Sequence, residues 1–357
     1  MRYPKTAVDL ARHIIDFNPD DAKTYAYWTL PRAVATSSAA LKQIPWPKNL
    51  APKTVPLLKK PNDTDQLPPA DCLVVTWTVA EGHALSDILT PDSRSDKDWY
   101  TYRRNYDSFY KSRIRNGAPA AEQPYLGIYM PTKIGSKKVL CFKSNLHLSQ
   151  DGPKLPIKDL WNQMITETGA GEVITTGTAG AIGANVKLGD VVVGQSVMFD
   201  CNRTFKNSDF NRQRYTSKVP IRQKWLSQAE KTLLSVNADQ LPLPVRTPVI
   251  LSRPAKSVNK TGIVTTDFFA YDNTTNTYGL QGMGGAVEMG DAVLGLVCQE
   301  LGSKSPGWLA VRNASDPQID GNLSPADQVR QAGQIYERYG YWTSVASAIV
   351  CWALMAP

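Results

Sequence analysis

VEMGDAVLGLVCQELGSKSPGWLAVRNASDP, residues 287–317, is the stretch from which the fold can be read. Val287, Val293, Leu294, Val297 and Leu301 fall close to an i, i+3, i+4, i+7 series, which predicts a packed helix over 287–301. Gly302 follows, where a helix ends most readily. Residues 308–311 are an apolar run leading into Arg312, Asn313, Ser315 and Asp316. Such a run is a buried strand that delivers polar groups at its carboxyl end, where open α/β sheets bind ligands. Helix then strand, carrying Glu288, Asp291 and Asp316, builds one wall of a pocket. The plainer reading is a core helix and strand with ordinary surface acids.

Working outward, residues 173–183 (VITTGTAGAIG) predict a strand running into a Gly-rich turn with exposed N–H groups. Its spacing matches neither GxxxxGK[ST] nor GxGxxG. Further strands are predicted at 72–75, 187–193 and 262–269, and a strand pair at 125–130 and 138–143 around Gly135-Ser136. Helices are predicted at 156–168, 220–236 and about 325–354, the last with an irregularity at Gly340. Residues 271–285, rich in Asn, Thr and Gly, predict a loop. The β-α alternation implies a three-layer αβα sandwich over a central mixed sheet.

Residues 1–70 read as an N-terminal arm, and 71–357 as the α/β domain. The arm has an amphipathic helix at 7–17 and prolines at 45, 47, 52, 56, 61, 68 and 69. An insert at about 92–123 interleaves Arg103, Arg104, Lys111, Arg113 and Arg115 with Trp99, Tyr100, Tyr102, Tyr106, Phe109 and Tyr110. That interleaving suits base stacking. A solvated face with an aromatic packing side is the commoner outcome.

At 357 residues, 42% hydrophobic and 20% charged, the chain has a globular composition with ample core. Its net charge of +8 fits an anionic small ligand, and equally mere solubility; the basic residues are dispersed, which argues against nucleic acid. No run approaches the roughly 18 apolar residues of a membrane span, and the N-terminus lacks the apolar core of a signal peptide. The five cysteines show neither CxxC nor Cys/His spacing, so the expectation is no disulfide framework, no zinc and a cytoplasmic compartment. His83 and His147 read as packing or surface residues.

Three segments in order, TTGTAGAIGANVKLGDVVV (175–193), TTDFF (265–269) and VEMGDA…VRNASD (287–316), resemble the nucleoside phosphorylase/nucleosidase superfamily. The likeness is greatest to its 5′-methylthioadenosine/S-adenosylhomocysteine nucleosidase type. It covers roughly residue 72 onward, apart from the insert. The resemblance implies that Thr178, Ala179 and Gly180 hold ribose and base, that Phe269 lies at the base and that Met289 packs on the sugar. It implies that Asp316, with Ser315 beside it, protonates the departing purine at N7, and that Glu81 activates water. General acids of that kind contribute about two to four orders of magnitude in rate. It implies a small-molecule nucleoside or nucleotide partner, a homo-oligomer and no cofactor. On bland readings Asp316 is a helix N-cap before Pro317, Glu81 a cap or surface pair, and Arg312 an ion-pair partner of Glu288.

Two departures matter. Thr175 and Thr176 stand where the phosphorylase branch places a phosphate-binding arginine, which favours hydrolysis. Gly290 stands where the family has a ribose-binding glutamate; the candidate sugar-binding residues Glu288 and Asp291 flank it. One residue along a helix is a rotation of about 100°, so either Asp291 reaches in from an irregular helix start or the sugar is held differently. The leading expectation is therefore an N-glycosidase releasing a purine from a nucleoside or nucleotide. A purine nucleoside phosphorylase, with Arg103 and Arg104 as phosphate ligands, is the second. A nucleotide-sensing or regulated effector, for example in antiviral defence, is the third.

Overall fold

A computed structural model describes residues 6–17, 41, 43–240, 246–252 and 261–357. Helix α1 (Ala7–Asp16) comes first, then strands β1 (Pro52–Thr54) and β2 (Cys72–Thr76) and helix α2 (Val79–Leu89). Strands β3 (Tyr100–Tyr102), β4 (Gly127–Ile134) and β5 (Lys137–Ser144), helix α3 (Pro156–Thr168) and strand β6 (Glu172–Ala181) follow. Next are β7 (Val191–Gly194), β8 (Ser196–Phe199), β9 (Arg214–Thr216), α4 (Gln223–Gln240), β10 (Ile250–Leu251), β11 (Ile263–Thr265) and β12 (Ala286–Glu288). The chain ends with α5 (Asp291–Leu301), β13 (Gly307–Asp316) and α6 (Pro325–Met355).

The strands form one mixed sheet. Its centre is parallel, β5-β2-β6-β13, and β4 and β7 flank this core antiparallel. A second parallel group, β12-β11-β8, joins β6 through an antiparallel pairing of Ala286 and Val287 with Ala181 and Gly180. Alternation along the strands sorts the core into two halves. Cys72, Val74, Ile174, Leu309 and Val311 pack with α1, α2, α4 and α6. Leu73, Val75, Val173, Trp308 and Ala310 pack with α3 and α5. This is the three-layer αβα sandwich the β-α alternation implies.

Most expected elements are present, and α3 spans the predicted residues, ended by Gly169 at φ +58°. Two expectations change around the site. The helix predicted from residue 287 starts at Asp291, because Val287 and Glu288 are claimed by pairing with β11. The 100° helical rotation between neighbours therefore does not separate Glu288 from Gly290. The expected glycine turn at 178–180 is continuous strand, its backbone taken up by β13 as far as Asp316. The amphipathic helix expected at 7–17 buries Leu10 and Phe17, and α1 packs on α6. The insert takes the commoner of its two outcomes: Tyr102, Tyr106 and Tyr110 are buried in the α3-side core and serve packing.

Candidate active site

One cleft brings together the sequence-predicted residues Glu81, Thr178, Ala179, Gly180, Phe269, Glu288, Met289, Ser315 and Asp316. Ile14, Trp77, His147 and Arg312 complete its walls. It sits where β6, β12 and β13 end together and the start of α2 faces them.

Glu81 is placed by local sequence logic. Thr78 caps α2, its hydroxyl accepting from the Glu81 N–H, and the Glu81 side chain closes the reciprocal capping box. The carboxylate does more than cap. Oε2 accepts from the Thr76 hydroxyl at 2.7 Å and from the N–H groups of Trp77 and Thr78, both at 2.9 Å. Oε1 accepts from the N–H and hydroxyl of Thr178, both at 2.7 Å. Gly177 makes that reach possible: its φ is +149°, and a β-carbon there would lie 2.5 Å from the Glu81 carboxyl. Burial opposes the charge, but Arg312 and the Thr78 and Thr178 donors outweigh it and hold Glu81 below the usual carboxylate range.

Asp316 is the counterpart. It ends β13 after a register shift between Ala314 and Asp316, and it pairs with Gly180. Oδ1 accepts from the Ser315 hydroxyl at 3.0 Å, while Oδ2 is buried with no partner. Burial pushes its pKa up to about 7, with Ser315 pulling only slightly the other way. A carboxylic acid with one open, buried oxygen and a pKa near neutrality is suited to giving up a proton to something that enters the cleft.

A buried ion cluster forms the floor. The Arg312 guanidinium bonds Asp291 through Nε at 2.8 Å and through a second short contact, and meets Glu288 at 3.1 Å. Burial disfavours its charge, but Asp291 and Glu288 more than restore it. Glu288 also accepts from Thr265 and from the Asp291 N–H. Burial and Asp291 together push Glu288 upward. Asp291 does not line the cleft; it anchors Arg312 from behind. Arg103 and Arg104 are elsewhere: Arg103 pairs with Asp107 and Arg104 with Glu167. His147 lines the cleft, and burial drops its pKa to about 4, so its imidazole is neutral near pH 7.

Sequence reasoning passed over Trp77, Tyr336 and Ile14. Trp77 stacks its ring beneath the Arg312 guanidinium at 4.9 Å and faces Gly290, where a β-carbon would meet Cζ2 at 3.4 Å. The Tyr336 hydroxyl lies 3.1 Å from the Thr78 hydroxyl and 3.2 Å from the Ile14 carbonyl, tying α1 to the cap of α2. Legible signals existed for two of them. Trp77 directly precedes the T-x-x-E capping box, and Tyr336 lies one turn before the helical Gly340 that its ring covers. Among the described residues, no cluster of three or more His, Cys, Asp or Glu side chains is placed to hold a metal ion. No described helix is long and apolar enough to cross a membrane.

A family model described as "Phosphorylase superfamily" matches residues 162–338. The match contains Thr178, Phe269, Met289 and Asp316, whereas Glu81, Trp77 and α1 precede it. The chain is therefore similar to the superfamily its motifs resemble. No curated protein matches. Among solved structures, similarity extends to a 5′-methylthioadenosine/S-adenosylhomocysteine nucleosidase from Neisseria meningitidis (15% identity, 79% of this chain and 96% of that one, TM-score 0.47). It extends to one from Colwellia psychrerythraea with adenine (15%, 80% and 95%, 0.49). The futalosine hydrolase of Helicobacter pylori is similar to the same degree (14%, 79% and 96%, 0.47).

Proposed function

We propose that this protein is an N-glycosidase that hydrolyses the bond between a purine and its sugar. One observation carries the reading: the open, buried Oδ2 of Asp316, on an acid poised near neutrality, shares a cleft with the ionised Glu81. As the glycosidic C–N bond breaks, the base gains electron density and the sugar becomes cationic. Asp316 gives its proton to the purine at N7, so the base departs uncharged. Glu81 supports the cationic sugar electrostatically.

Water then bonds to the anomeric carbon, and its proton passes to Glu81. The five donors on Glu81 bear on this step. Backbone donors are fixed, but the hydroxyls of Thr76 and Thr178 can rotate away and free an acceptor for water. Phosphorolysis would need a cation for phosphate. Arg312 is committed to Asp291 and Glu288, and Thr175 and Thr176 bring none, which supports hydrolysis.

The test is chromatography of purified protein incubated with adenosine, inosine and AMP, with and without phosphate. Free base released independently of phosphate is expected. Phosphate-dependent formation of a sugar 1-phosphate overturns the reading in favour of a phosphorylase. Tight binding without any turnover would point to a sensor.

A further inference from the structure

The cleft contains an unfilled hydrogen-bond position besides that of Asp316. Trp77 is 3% exposed, and its indole Nε1 is buried without a partner. Three other tryptophans are satisfied: Trp99 donates to Thr90 at 3.2 Å, Trp225 to the Pro357 carbonyl at 2.9 Å and Trp352 to the Leu50 carbonyl at 2.7 Å. Trp161 also has an unpartnered Nε1 but does not line the cleft. A buried donor left unmade costs about 1–3 kcal/mol, so one kept in a ligand cleft calls for a partner that arrives with the ligand.

The ring is held in place. Arg312 stacks on its face, and Trp161 and His147 meet it edge-on at centroid distances of 6.3 and 6.5 Å. Gly290 backs its edge: an added β-carbon would lie 3.4 Å from Cζ2 and 3.6 Å from Cε2, the carbon bonded to Nε1. A β-carbon at residue 290 would therefore rest in ordinary van der Waals contact with the indole edge. The other polar groups beside it are already engaged, Glu81 by five donors and Glu288 by Thr265, Asp291 and Arg312.

Building on the N-glycosidase reading, we infer that the Trp77 indole N–H donates to a hydroxyl oxygen of the substrate's sugar and is a specificity-determining contact. An indole N–H can only donate, so the ligand atom must accept. The ionised Glu81 lines the same cleft and opposes an anionic acceptor such as a phosphate oxygen, and the Arg312 cation is already paired with Asp291 and Glu288, so a neutral hydroxyl fits better. The contact anchors the sugar from the face where Gly290 provides no side chain.

Calorimetry on the full chain tests this with adenosine and its 2′-, 3′- and 5′-deoxy analogues, on wild type and Trp77→Phe, alongside base release. Trp77→Phe removes the N–H while keeping an aromatic, though smaller, side chain, and the deoxy analogues separate the lost hydrogen bond from the lost volume. Adenosine is expected to bind the variant about tenfold more weakly. One of the deoxy analogues should bind wild type and variant alike, because it lacks the accepting oxygen. Equal affinity of both proteins for adenosine overturns the inference. So does an equal loss for all four compounds, which would assign Trp77 to packing. If binding follows the expected pattern but no base is released, the inference stands and the glycosidase reading falls. If wild type binds none of the four, both fall.

Discussion

A β-carbon on Gly180 would stand 2.9 Å from Oδ2 of Asp316, the buried oxygen without a partner. Three residues earlier, the β-carbon missing from Gly177 would collide with the Glu81 carboxyl at 2.5 Å. The glycines of one strand therefore leave room for both carboxyl groups. With about 3.3 Å of rise per residue, those notches lie roughly 10 Å apart along β6. Gly180→Ala removes no polar group but forces the Asp316 carboxyl aside, and it should lower kcat at least tenfold. Unchanged turnover would show that Asp316 does not need that space.

Removing the acid itself separates chemistry from folding. Asp316→Asn should reduce kcat by about 10²–10⁴-fold, the usual contribution of a general acid, with adenine binding retained. Single-turnover kinetics beside calorimetry with adenine would check it, and a loss below threefold would remove Asp316 from the mechanism.

The pH dependence follows from the same group. Glu81 stays ionised because its pKa is lowered, so the falling limb belongs to Asp316. kcat/KM should be level at mildly acidic pH and decline above about 7, as the acid form is lost. Stability runs in the same direction. The folded pKa of Asp316 lies above the ordinary 3.8, so the folded chain keeps this proton where the unfolded chain sheds it. The associated stability is full below pH 3.8 and is lost as pH rises through about 7. Asp316→Asn, which has no proton to lose, should melt higher than wild type at pH 8 and lose that advantage near pH 4.

Glu81 should behave oppositely. Glu81→Gln replaces one acceptor oxygen by a donor amide facing N–H and hydroxyl donors, so it should lower stability by about 2–4 kcal/mol as well as activity. Denaturant melts would read the loss. A fully stable but inactive variant would mean the five donors matter less than their geometry suggests.

Arg312→Ala should be among the most damaging single changes. It leaves Asp291 and Glu288 buried beside each other without their cation, a situation that costs about 3–5 kcal/mol. Thermal melts would check it. Arg312→Lys cannot reproduce the two-pronged contact with Asp291 and should recover only part of the loss.

Much of this was legible in the sequence because the deciding signals are local. Gly169 ends α3, the continuous apolar run at 72–75 marks a buried strand, and T-x-x-E at 78–81 marks a helix start. Asp316 came from the ordered motifs, and Glu81 from the position at which the resembled family carries a glutamate. What escaped depends on pairing between distant segments. Val287 and Glu288 continue an apolar helical series, yet β11 draws them into the sheet. Thr178-Ala179-Gly180 has the composition of a turn, yet β13 keeps it extended. No local pattern in 1–70 says that Ile14 faces Glu81. The unpartnered atoms of Trp77 and Asp316 are properties of packing, which a linear reading does not contain.

The contact between the Tyr336 hydroxyl and the Ile14 carbonyl joins residues 322 positions apart. Its consequence is temporal. A ribosome makes Ile14 long before Tyr336, so the cleft has no closed wall until α6 has emerged and docked on α1. Removing either helix should open the same wall. Any activity of the cleft would thus be withheld from the growing chain until these two distant helices meet.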